Sequence, residues 1–298
     1  MPPRKNGRES GPPPDTVHDD RRVTRRLRPR RVALLAAAAV ALAGVILGVM
    51  AAESAAGSPS SRGMTAAGPQ SNSSGAAQST KTQSEHPLSK SAALRTSCRS
   101  VAHIGDSTSV DLISPASIPN AAERLGARYA AVGVKHLKID ASGGRSIVEE
   151  LPGQLNGFKV ASAWRNQGYR GCWVFALGTN DTANIAAGSS VGMMARIDQM
   201  MAVAHGQPVM WVNTRTLLSS GPWANANEQA WDKTLVRALA KYPNMRIFNW
   251  SAVARPGWFL SDGIHYNSVG CVMRARAIAD ALARAFPQSG QSTSKIVR

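Results

Sequence analysis

Short apolar runs alternate with segments of helical period along the second two thirds of the chain, and that alternation limits the folds open to it. Five runs read as strands: Ser100–Ile104, His136–Ile139, Cys172–Leu177, Pro208–Asn213 and Met245–Asn249. Helical patterns are expected at Asn120–Gly133, Ser162–Gln167, Val191–Ala204, Asn225–Tyr242 and, closing the domain, Ser268–Phe286. The runs are short and nearly continuously apolar, as strands covered on both faces must be. A repeated strand-then-helix order with such strands predicts a parallel sheet carrying helices on both faces. In sheets of this kind ligands bind beyond the carboxyl ends of the strands, so reactive residues are expected just after them.

Polar segments fall there. Gly105-Asp106-Ser107-Thr108 follows the first run, "ASGGRS" (141–146) the second and "GTND" (178–181) the third. "FLSDGIHYNSVG" (259–270) precedes the closing helix and supplies Asp262 and His265. Alone, Gly-Asp-Ser-Thr is ordinary turn and N-cap material. Together the segments fit one mechanism, in which a serine hydroxyl needs a base, the imidazole an orienting carboxylate and the tetrahedral intermediate a set of donors. Ser107, His265 and Asp262 fill the first three roles. The backbone N–H groups of Ser107 and Gly144 and the side-chain amide of Asn180 supply three oxyanion donors. A competing motif, "GSSVG" (188–192), fits the G-x-S-x-G nucleophile elbow. An elbow must directly follow a strand, and "DTANIAA" is none, so Ser190 is expected as the N-cap of the next helix.

Taken in order, the four segments resemble the blocks of the SGNH (GDSL-type) hydrolases: "GDST", the glycine of "SGG", "GTND" and "DGIH". The resemblance spans about Val101–Phe286. It implies an α/β fold, a three-layer α/β/α sandwich with a five-stranded parallel sheet in flavodoxin-like order 2-1-3-4-5. It also implies ester hydrolysis or acyl transfer through an acyl-serine, with no metal and no cofactor. By the match Ser107 is the nucleophile, His265 the base and then the acid, and Asp262 its orienting carboxylate. Gly144, chosen because it precedes Arg145-Ser146, and Asn180 complete the oxyanion hole with Ser107. Asp106 and Asp181 are expected to brace loops. The implied strand order makes Cys98 and Cys172 neighbours at the amino ends of their strands, where they are expected to bridge, leaving Cys271 as a buried free thiol.

The rest of the chain sets the location. Residues 1–31 carry ten Lys/Arg against four Asp/Glu and read as a disordered basic cytoplasmic leader. Val32–Ala52 is an uncharged apolar run, about 30 Å long as a helix and enough to span a bilayer. With Arg25, Arg26, Arg28, Arg30 and Arg31 before it, the positive-inside rule sends the remainder out of the cytoplasm. A single-pass signal anchor is expected; a signal peptide cleaved after Val49-Met50-Ala51 is the alternative. Residues 53–97 read as a disordered Ser/Gly/Ala-rich linker, 98–287 as the globular domain and 288–298 as a disordered tail. Of the formal net charge of +17, six units belong to the leader, and the remaining basic residues are scattered rather than interleaved with aromatics. No nucleic-acid partner is expected.

His103 is expected to be buried and hydrogen-bonded, and His136 and His205 lack metal-ligand spacing. The group Met193, Met194, Met200 and Met201 is read as core filling, and Trp223 and Trp258 as packing or pocket lining. The leading functional reading is an extracytoplasmic serine esterase acting on acyl esters, such as acetyl, of envelope glycans, lipids or small molecules. An O-acyltransferase module and a non-catalytic glycan-binding or scaffold protein are the alternatives.

Overall fold

The computed structural model describes residues 94–298. The basic leader, the apolar run and the linker up to residue 93 lie outside them. No helix among the described residues is long and apolar enough to cross a membrane.

The strands are β1 (Ser100–Gly105), β2 (His136–Ala141), β3 (Cys172–Ala176), β4 (Val209–Val212), β5 (Met245–Phe248) and β6 (Ile296–Val297). The helices are α1 (Ser107–Val110), α2 (Leu125–Ala131), α3 (Gly157–Asn166), α4 (Thr179–Ala186), α5 (Met193–Ala204), α6 (Asn225–Lys241) and α7 (Ser268–Ala285). The sheet runs β2-β1-β3-β4-β5-β6, every pairing parallel. The expected α/β/α sandwich and the order 2-1-3-4-5 are present, with six strands in place of five.

Alternation along each inner strand builds two cores. Cys172, Val174 and Ala176 of β3 face one side with Met210 and Val212 of β4, and meet α2 and α7 through Leu125, Tyr129, Ile278 and Leu282. Trp173 and Phe175 of β3 and Trp211 of β4 face the other, against Val160 of α3, Ile197 and Met200 of α5 and Trp231 and Leu235 of α6. Small residues at Ala275, Ala279 and Ala283 of α7 keep that helix close to the sheet. Met200 and Met201 are buried, and Met193 and Met194 pack on the same core. β2, at the edge, is only half covered: His136 and Lys138 are exposed, unlike the near-continuous burial expected of every strand.

Four expectations need correction. Residues 288–298 are not a disordered tail: the Ile247 N–H donates to the Lys295 carbonyl and the Asn249 N–H to that of Val297, adding β6 to the free edge of β5. The domain also begins before residue 98, since Thr96 is fully buried and its N–H donates to the Val132 carbonyl. The helix expected over 120–133 is a 3-10 turn at Ala121–Glu123 followed by α2, the break falling at Arg124, whose backbone is extended. Ser190 is not an N-cap; that place belongs to Gly192, and no side chain caps α5.

Cys98 and Cys172 form a disulfide with Cα atoms 5.7 Å apart, and Cys271 is a buried free thiol. The bridge joins the amino ends of β1 and β3, the edge opposite the polar loops. Replacing both cysteines by serine should cost about 2–5 kcal/mol, as for other native disulfides closing long loops. Urea denaturation of the double variant checks this, and Cys271→Ser should leave the Cys98–Cys172 peptide intact in non-reducing maps.

Candidate active site

The site is built from loops that leave adjacent strand ends. β1 stops at Gly105, where a Cβ would lie 2.3 Å from Ser109 Oγ, so the chain turns into α1 only because no side chain is there. Asp106 caps α1: its Oδ1 accepts the Thr108 N–H at 2.9 Å and the Thr108 hydroxyl at 2.7 Å. Ser107 is therefore the first residue of a helical turn, where the backbone N–H lacks a helical acceptor. Nothing among the described residues accepts that N–H.

The base comes from the turn before α7. Asp262 Oδ1 accepts the N–H groups of Ile264 at 2.9 Å and His265 at 3.0 Å, which fixes the turn. Its Oδ2 accepts the Nδ1–H of His265 at 2.7 Å. The other ring nitrogen, Nε2, accepts the Ser107 hydroxyl at 2.8 Å across 158 residues of sequence. Partial burial alone would raise the Asp262 carboxyl, but bonds from the His265 ring and from the two N–H groups outweigh it and hold it below its ordinary value. The His265 and Asp262 side chains are 32% and 44% exposed, so a substrate can reach the pair.

The oxyanion side is held by buried charge. Gly144 sits at φ +68°, in the left-handed region, and its N–H has no acceptor among the described residues. Arg145, 4% exposed, ties this loop to the strands: Nη1 pairs with Asp140 at 2.8 Å and donates to the Asp140 carbonyl at 2.9 Å and to that of Gly105 at 3.4 Å. Asn180, in the first turn of α4, donates from Nδ2 to the Arg145 carbonyl at 3.1 Å, which places its amide at the Gly144 loop. Trp223, 38% exposed, donates from Nε1 to Asn180 Oδ1 at 3.4 Å. Trp258 packs, stacked on Trp250 at 5.9 Å.

Next to Asn180 in the chain, Asp181 joins an ionic knot in which it and Arg196 are fully buried and Glu149 is half-buried. Arg196 of α5 donates through Nη1 to Asp181 at 2.8 Å and to Glu149 at 2.6 Å, while Asp181 Oδ1 also accepts the Ile147 N–H at 2.9 Å. Burial pushes the Asp181 carboxyl up to about 6 against the pull of Ile147 and Arg196. Burial acts the same way on Glu149, but bonds from Arg196, Ser189 and Ser146 bring it down to about 2. Asp106 and Asp181 thus brace loops, as their expected role requires. His103 is fully buried between Tyr129 and Ser109, and burial together with the Arg274 charge lowers it to about 3, so it is neutral.

Ser107, Asp262 and His265 are joined by direct hydrogen bonds, and Gly144 and Asn180 meet at one loop. These are the contacts a serine nucleophile, its base and an orienting carboxylate require. Ser190 takes no part in them. Among the described residues no three His, Cys, Asp or Glu side chains are placed to hold a metal ion. Sequence reasoning passed over Arg145, Glu149 and Arg196; the one available signal was a charge within an apolar helix face, as at Arg196 among Met193, Met194, Met200 and Met201.

No protein-family model matches the chain, and no curated protein is similar to it. Solved structures with a similar fold include a lipase/acylhydrolase from Enterococcus faecalis, 14% identical over 64% of this chain and 99% of that one (TM-score 0.49). A carbohydrate acetylesterase family member from Sinorhizobium meliloti is 17% identical over 60% and 95% (TM-score 0.48). The catalytic domain of peptidoglycan O-acetyltransferase A from Streptococcus pneumoniae is 16% identical over 64% and 97% (TM-score 0.46). None reaches a TM-score of 0.5, and the functional reading rests on the geometry of the site.

Two buried groups give predictions. Removing Arg196 leaves two carboxylates without their cation, and Arg196→Met should cost about 3–5 kcal/mol in urea denaturation. Glu228 of α6, fully buried, accepts the Thr182 hydroxyl at 2.9 Å, and burial pushes its carboxyl up to about 8. Its folded value lies above the unfolded one, so the folded state binds the extra proton and loses stability as pH rises between about 4.5 and 8. Glu228→Gln should therefore raise Tm relative to the wild type by more at pH 8 than at pH 5, a gap of a few degrees.

Proposed function

We propose that the domain is a serine esterase that cleaves acyl esters through an acyl-serine intermediate. One observation carries the reading: a continuous relay in which the Ser107 hydroxyl donates to His265 and the His265 ring donates to Asp262, at 2.8 and 2.7 Å. In the attack step Ser107 Oγ bonds to the ester carbon while its proton passes to His265 Nε2. Asp262 holds Nδ1–H and stabilises the imidazolium. The carbonyl oxygen takes up negative charge, and the N–H groups of Ser107 and Gly144 with the Asn180 amide are the donors at hand. The same proton then goes to the leaving alkoxide. Water, deprotonated by His265, releases the acid and restores the serine.

Room for the substrate lies beside Gly144. The loop 150–155 lines an open surface depression of about 540 Å³, and a Cβ on Gly144 would lie 2.6 Å from Leu151 Cδ1 of that loop. We further propose that the esterase works outside the cytoplasmic membrane on acyl esters, acetyl included, of envelope glycans, lipids or small molecules, tethered by Val32–Ala52. The arginine-flanked apolar run supports this location, and so does the Cys98–Cys172 disulfide, a bond that persists in oxidising compartments.

Turnover of p-nitrophenyl acetate and butyrate by the full chain tests the reaction. Ser107→Ala should lower kcat by at least about 10³-fold, and Asn180→Ala by about 10²–10³-fold, the cost of one oxyanion donor. Ser190→Ala should leave kcat unchanged. Turnover by wild type no greater than by Ser107→Ala overturns the esterase reading, and acyl transfer to an added oligosaccharide in preference to water turns it into an acyltransferase.

A further inference from the structure

We propose that Arg274 is the positioning residue that sets the contact between Ser107 and His265, acting through the two residues that follow them, Thr108 and Tyr266. Arg274 lies on α7 and is 3% exposed. Its Nη2 donates to Thr108 Oγ1 at 3.3 Å, and that hydroxyl in turn donates to Asp106, the cap of the helical turn that begins at Ser107. Its guanidinium carbon lies 5.2 Å from the ring of Tyr266 and 4.9 Å from that of Trp250. Trp250 and Tyr266 are themselves joined, the indole N–H donating to the Tyr266 hydroxyl at 2.7 Å. One cation therefore touches the residue after the nucleophile and the residue after the base.

Packing alone does not account for an arginine here. It pairs with no carboxylate among the described residues, and its Nε and Nη1 have no acceptor. Burying a guanidinium with so few partners is costly, and an apolar side chain of the same volume usually serves stability as well or better. The charge does what an apolar chain cannot: it is attracted to both aromatic faces and donates to the Thr108 hydroxyl. Chemistry needs that precision, because a displacement of about 1 Å between reacting groups costs up to about 100-fold in rate.

The kinetic arm of the test rests on the esterase reading; a spectroscopic arm does not. In the full chain, Arg274→Met should lower kcat with p-nitrophenyl acetate by about 10- to 100-fold and leave KM within about twofold. Arg274→Lys, which keeps the charge, should recover part of the loss. The ¹⁵N signal of His265 Nε2 reports its bond to Ser107 without substrate, and in Arg274→Met it should move toward its position in Ser107→Ala. A folded Arg274→Met with parental kcat and parental Nε2 signal overturns the proposal, and so does a change confined to KM or Tm. If wild type turns nothing over, the esterase reading fails and the Nε2 signal still decides this one. If Arg274→Met does not fold, Arg274→Lys and Thr108→Val decide: both must shift the Nε2 signal toward that of Ser107→Ala, and a parental signal in either overturns the proposal.

Discussion

Parallel pairing of β1 with both β2 and β3 brings Gly105 level with Ala141 on one side and with Ala176 on the other. Each strand releases its chain at the same height and in the same direction. Ser107, Gly144 and Asn180 then lie only two, three and four residues beyond aligned positions, so they converge without any long excursion. Antiparallel pairing would have sent one of these loops to the opposite edge. The base alone arrives from far along the sequence, and it arrives at the amino end of α7, the helix that packs across β4 and β5. Everything else in the site refines a placement that the sheet has already made.

That refinement is done by three buried guanidinium groups, one per junction. Arg145 fastens the Gly144 loop to the ends of β1 and β2, Arg196 fastens the loop after β2 to the turn after β3, and Arg274 lies between the α1 turn and the turn that carries His265. Loops at a strand's end have many unpaired carbonyls and few apolar side chains to pack, so a planar group with five donors suits them better than hydrophobic contact. Arg196 makes the fullest use of this and meets two carboxylates. Arg274 makes the least, and aromatic faces take the place of carboxylates around it.

Much of this was legible in the sequence because the strongest signals are local. Five apolar runs, each ending in Gly, Asp, Asn or Ser, disclose the parallel order and the loops that matter. Asp262 and His265, three residues apart, declare their own pairing. The features that escaped depend on distant partners. β6 is two residues long, too short for any pattern, and exists only because β5 offers an open edge. α1 is a single turn and α4 an eight-residue helix, and both depend on caps or burial, Asp106 for the first and the packing of Thr179, Asp181 and Ala183 for the second. Ser190 looked like a cap by type, yet a cap requires a side chain in the right backbone conformation, and the chain enters α5 through Gly192. A buried arginine cannot be told from a surface one by spacing alone when its neighbours in sequence are themselves mixed.

The disulfide divides the chain in a way the fold conceals. Cys98 and Cys172 close a covalent ring that contains Ser107 and Gly144, whereas Asn180, Asp262 and His265 lie outside it, held by non-covalent packing. A fluctuation that lifts α7 and its preceding turn from the sheet parts the imidazole from the hydroxyl and leaves the ring closed. The relay would then be broken well before the domain unfolds, and would re-form as soon as that one helix settles back.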